Sequence, residues 1–192
     1  LIMLSYMVIK KLEKFINEKQ FYSAQFLSEK FQRTIRSLRS INPSNPCIFQ
    51  AHALYLENEN IFIGDANTIE QKEDRLSASI ECHEIRVKLY LEQKWLEDKT
   101  IYTLLLQAYE NLVYAYIKSK DKNNLSAGRL SLNNVISKAH QHQLDINSLA
   151  TLLKTIMHEE EKYQTNNNTS TTTTTTNNTS SIYGNDSLSM WR

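Results

Sequence analysis

The chain has 192 residues, 22 Lys and Arg against 21 Asp and Glu for a net charge of +1, and only three glycines and two prolines, where an average chain carries about 7% and 5% of these two types. Gly64, Gly128 and Gly184 stand alone, so no glycine-rich loop can bring backbone N–H groups against a phosphate, which excludes the dinucleotide fingerprint and the P-loop. A balanced charge gives no overall field for nucleic acid or anionic lipid, so any such binding has to be local.

Apolar residues recur at helical steps from the start of the chain. A first helix is expected from about Ser5 to Glu18, with Val8, Leu12, Phe15 and Ile16 on one stripe. A second carries Phe21, Ala24, Leu27, Phe31, Ile35 and Leu38 and stops at Ile41-Asn42-Pro43-Ser44-Asn45-Pro46, where two prolines forbid continuation. The third covers Cys47 to about Asn58; beyond it, Ile61 to Ile63 read either as helix as far as Gly64 or as a short strand. A fourth, Ile69 to Lys94, places Leu76, Ile80, His83, Val87 and Leu91 on its stripe. The fifth, Asp98 to Ser119, has Asp98 as N-cap. Leu104, Leu105, Ala108, Tyr109, Leu112, Val113, Ala115, Tyr116 and Ile117 cover so much of its circumference that it should be the central helix. A sixth spans Leu125 to His140, its first turn weakened by Gly128, and a seventh opens at Asp145 or Asn147 and carries Leu149, Leu152, Leu153, Ile156 and Met157. Short polar turns between them predict an all-α fold of antiparallel helical hairpins, a stack or bundle of about seven helices without a sheet.

Composition changes near residue 164. Thr165 to Ser181 holds no apolar side chain, so burial cannot offset the entropy of ordering it, and the division expected is a helical domain over 1–164 and an Asn/Thr-rich disordered tail over 165–192. Cys47 and Cys82 are too few and too far apart for a disulfide framework or a C-x-x-C pair, which predicts a reduced intracellular setting, cytoplasmic or nuclear. Residues 1–9 are apolar but too short to span a bilayer, and Lys10 and Lys11 follow the run where a signal peptide would place them before it. The chain opens on Leu1, so a fragment, or a start at Met3 or Met7, is expected.

Phe15 to Lys30, FINEKQFYSAQFLSEK, resembles the turn and second helix of a tetratricopeptide repeat: an aromatic, Phe21, opens the helix and a small residue, Ala24, follows where two helices approach. Ala115 and Ala127 echo the two small positions of that repeat. Departures are Leu12, where the family has a small residue, Pro43, beyond the usual repeat end, and residues 65–94, which fit no unit. The same stretch, extended by Leu54-Tyr55-Leu56, is similar to the opening hairpin of tetratricopeptide subunits of the anaphase-promoting complex over about a quarter of the chain. The resemblance implies stacked hairpins whose groove holds a peptide or partner helix, a non-catalytic scaffold or adaptor. The alternatives are a helical accessory domain of a larger enzyme, a subunit of a ubiquitin-ligase assembly, or a nucleic-acid binder.

Catalytic and metal chemistry finds little purchase. His83-Glu84 begins an H-E-x-x pattern, but Val87 stands where the second imidazole should be. Cys47, Cys82 and His83 offer a thiol and an imidazole, for which a buried structural role is expected. His140 and His142, with His158 and Glu159 to Glu161, read as solvated turns, with Glu159 to Lys162 as a polar cap. No catalytic residue, metal ligand or cofactor is assigned, and an enzyme is not expected. Residues 10–39 carry eight basic and three acidic side chains, and Arg33, Arg36 and Arg39 at steps of three read either as a solvated face whose cations suit the helix dipole or as a stripe that grips an acidic or phosphorylated protein partner. Asn111, Tyr114 and Lys118 are expected to line the groove. Phe15, Phe21, Tyr22 and Phe26 lie mainly on the expected core stripe, which disfavours nucleic acid.

Overall fold

The computed structural model describes residues 1–59 and 69–170, with the backbone alone for 59, 69–71 and 164–170. Among these residues there are seven helices and no strand: α1 (Ile2–Asn17), α2 (Phe21–Ile41), α3 (Pro46–Glu59), α4 (Ile69–Leu91), α5 (Lys99–Ser119), α6 (Lys122–Gln141) and α7 (Asn147–Ser170). The choice between helix and strand at Ile61 to Ile63 lies outside the described residues, as does the expected tail from 171 onward. Its first six residues, 165–170, continue α7 past the expected boundary. α4 ends at Leu91, three residues early, because residues 92–97 form a turn that tucks Trp95 into the core. α6 starts three residues early, since Asp121 caps it by accepting from the Asn123 N–H.

Scarce glycine dictates how the turns are made. The backbone turns left-handed at Lys19, Lys120 and Gln143, each just past a helix. After α1, the Gln20 N–H reaches back to the Phe15 carbonyl and the Lys19 N–H to that of Ile16, a Schellman-type closure without its usual glycine. Asp98 opens α5 as expected, accepting from the N–H groups of Thr100 and Ile101.

Helices α1, α2 and α3 pack on one another, as do α5, α6 and α7, and α4 bridges the groups by packing on α3 and α5. Val8, Ile9, Leu12, Ala24, Phe31, Ile35, Ile48, Ala51 and Tyr55 form the first core. The second is centred on α5, whose Leu105, Ala108, Tyr109 and Leu112 meet Leu125, Leu132, Leu149 and Ile156. Phe49, Ala53, Leu56 and Cys82 join α3 to α4. No Cα atoms of α3 and α5 come within 8 Å of each other, so the two groups leave a gap beside α4.

Two side-chain placements correct the expected stripes. Phe21, Tyr22 and Phe26 are 64%, 84% and 61% exposed, because Ala24, Phe31 and Ile35 set the buried line of α2 and Tyr22 and Phe26 fall nearly opposite it at about 100° per residue. Ala127 is exposed; the close approach occurs one residue later, at buried Gly128, where a Cβ would lie 2.8 Å from Ile156 Cδ1 and 2.9 Å from the Tyr116 ring.

Candidate functional site

Helix α5 buries most of its circumference, yet Thr103, Gln107, Glu110, Tyr114 and Lys118 stay exposed and Asn111 half-exposed. Their steps of three and four place them on one side, a stripe about 22 Å long at 1.5 Å per residue. One cavity of about 420 Å³ lies at its start, between α5 and α7, lined by Thr103, Gln107, Glu110, Asn147 and Thr151. Another of about 520 Å³ lies at its end, where Lys118 meets Leu56, Glu57 and Leu76 in the gap between α3 and α5. Tyr114, 75% exposed, stands on the stripe between them. The expected groove residues Asn111, Tyr114 and Lys118 therefore share one exposed face.

The expected arginine stripe does not stay together. A step of three turns a helix by about 300°, so two steps carry Arg39 about 120° around from Arg33. Arg39 turns toward α3, where its Nη1 lies 3.4 Å from His52 Nδ1 and its guanidinium 4.9 Å from the Phe49 ring centroid. Arg33 and Arg36 stay outside: Arg33 pairs with Glu29 at 3.1 Å, and Arg36 donates to Gln32 Oε1 at 3.3 Å. The exposed side of α2 thus carries Arg33 and Arg36, preceded by Tyr22 and Phe26.

A polar seam runs between α3 and α4. Glu57 Oε1 accepts from the Ser79 hydroxyl and from His83 Nε2, both at 2.8 Å. Burial pushes the Glu57 carboxyl up, but the His83 and Ser79 hydrogen bonds and the Lys118 charge outweigh it and hold it below its ordinary value. Lys118 thus touches the groove and the seam electrostatically. One turn away, Cys82 Sγ lies 3.5 Å from His52 Nδ1. Burial lifts the thiol to about 11 and, with Arg39 and Arg36, lowers His52 to about 4, so thiol and imidazole are both neutral at pH 7. That pair is no activated nucleophile. Ser79 and His83 donate to the same oxygen and therefore lack the hydroxyl-to-imidazole bond that nucleophilic catalysis needs.

The remaining candidates are dispersed. Cys47 is exposed, apart from the pair that Cys82 makes with His52. His140, His142 and His158 are exposed, and among the described residues no group of three His, Cys, Asp or Glu side chains converges to hold a metal. Glu160 pairs with Arg129 at 2.9 Å and Glu159 with Lys162 at 2.6 Å. Among the described residues no helix is long and apolar enough to cross a membrane. No protein-family model matches the chain, and no similar protein is found among curated sequences or solved structures.

Proposed function

We propose that the chain is a non-catalytic interaction scaffold, a stack of helical hairpins similar in plan to tetratricopeptide proteins, which holds a peptide or partner helix along α5. The observation that carries this reading is the stripe from Thr103 to Lys118 with a cavity at each end and Tyr114 between them. A helix buried almost all round needs no such face for stability, and an exposed aromatic within a polar stripe suits recognition. Lys72, Lys118 and Lys120 outnumber Glu57 and Glu73 at one end, which favours an acidic or phosphorylated segment there. Arg33 and Arg36 on α2 offer a second contact of the same sign.

The test is affinity capture with the full chain. Tyr114→Ala combined with Lys118→Glu should lose the stoichiometric partner while the helical spectrum is kept, since both side chains are exposed. Cys82→Ala should retain it. Equal partner recovery by the double variant, or turnover of a small molecule that depends on Cys82, would overturn the proposal.

A further inference from the structure

The first helix has two faces. Ser5, Val8, Ile9 and Leu12 are buried against the neighbouring helices. On the other side Met3, Tyr6 and Met7 are 74%, 50% and 66% exposed, and with Lys10, Lys11 and Lys14 they line an open hollow of about 380 Å³. Met3, Met7, Lys10 and Lys14 follow one another at steps of four, three and four, the seam spacing of a helix that receives another helix, and at about 100° per residue this seam lies opposite the buried face. The hollow is apolar at the N-terminal end of the helix and cationic at the other, with no carboxylate lining it among the described residues. Lys14 shares its charge with exposed Glu18 at 3.7 Å, and the Lys11 ammonium lies 4.9 Å from the Phe15 ring centroid.

Building on the scaffold reading, we propose that this outer face of α1 is a second docking site, and that its occupant is an antiparallel amphipathic helix of a protein partner, acidic in its first two turns and apolar in the next two. Polarity sets the direction. An antiparallel helix brings its N-terminal turns beside Lys10 and Lys14, and acidic residues are favoured in those turns by the helix's own dipole. Its apolar turns then cover Met3, Tyr6 and Met7, whose flexible thioethers adapt to the incoming side chains. A second copy of α1 fits poorly, since parallel pairing sets lysine on lysine and antiparallel pairing sets lysine on methionine without a carboxylate. A hollow between side chains receives a protruding side chain better than it does a flat lipid surface.

The probe is a synthetic helix-forming peptide of about four turns, with Glu on the seam of its first half and Leu on that of its second. A twin carries Lys in place of Glu. Binding to the full chain, followed by fluorescence anisotropy, should favour the Glu peptide and weaken with salt. Lys10→Glu with Lys14→Glu should weaken it on the order of tenfold and turn the preference toward the Lys peptide. Met7→Asp, at an exposed position, should abolish binding of both peptides with the helical spectrum unchanged. The Tyr114→Ala, Lys118→Glu variant should bind the peptide as the parent does, so failure of the groove on α5 is distinguishable from failure here. No binding of the Glu peptide, equal binding of the twins, binding to vesicles of phosphatidylserine and phosphatidylcholine that Met7→Asp abolishes, or self-association that the same change removes would each overturn the proposal.

Discussion

Arg86 is fully buried on α4, and among the described residues its Nε, Nη1 and Nη2 lack a partner in good hydrogen-bond geometry, with Tyr90 the main compensating group, its ring centroid 5.8 Å from the guanidinium. Burial lowers its pKa, and Tyr90 only partly opposes this. A buried cation compensated only in part costs stability, so Arg86→Met, which keeps the stem and drops the charge, should raise the thermal midpoint by a few degrees, roughly 1 kcal/mol or more. A lower midpoint would show that the guanidinium stabilises the fold. His52 supplies a second test at this scale. Its folded value, about 4, lies below its ordinary 6.5. Between the two the unfolded chain holds a proton that the folded chain does not, so the contribution to stability is complete above pH 6.5 and falls as pH drops toward 4. Glu57, also lowered, adds to the loss on further acidification. His52→Gln, which retains an acceptor for Arg39, should flatten the fall in thermal midpoint between pH 6.5 and 4; an unchanged slope would contradict the assignment. None of this pairing was legible in the sequence. The apolar stripe predicts a hydrogen-bonded core role for His83, which is met only in part: its Nε2 bonds Glu57, while its buried Nδ1 has no partner among the described residues. His52, Ser79 and Arg86 carried no signal, because which residues of α3 and α4 face one another depends on how the two helices meet.

Helix boundaries divide into those with a local cause and those without one. Asp98 announced the start of α5, and its two accepted N–H bonds predict that Asp98→Ala costs about 1 kcal/mol, checked by the urea midpoint. The left-handed residue after α6, Gln143, gave no such sign, since glycine is the usual marker. A residue with a Cβ pays roughly 1 kcal/mol or more there, so Gln143→Gly should stabilise the fold, and a lower midpoint would contradict this. Gly128 shows the reverse error. Read along one helix it weakens a turn, but between helices it lets α6 approach Tyr116 and Ile156. Gly128→Ala, a helix-favouring change, should therefore destabilise by about 1–3 kcal/mol, and a rise in the thermal midpoint would show that the neighbours yield. The arginine stripe failed for a geometric reason: steps of three drift around a helix, and only alternation with steps of four holds one face. Asn111, Tyr114 and Lys118 alternate in that way and stay together.

At the scale of the molecule, seven helices and their order followed from apolar periodicity, because each helix is long enough to show its stripe. The gap beside Lys118 did not follow, since it depends on α3 and α5 standing apart and only the packing of α4 between them creates that separation. The seam residues Phe49, Ala53, Leu56 and Cys82 connect two cores that are otherwise distinct, and the proposed recognition surface lies across their junction. The proposed recognition uses the outward stripe of α5, with the polar groups between α3 and α4 serving the fold. The most direct measurement is amide hydrogen exchange of the full chain, alone and with its captured partner bound. The complex should gain protection along α5 from Thr103 to Lys118 and in the facing turns of α7 at Asn147 to Thr151. Protection confined to α4 around Cys82 and His83, with α5 and α7 unchanged, would contradict the proposal.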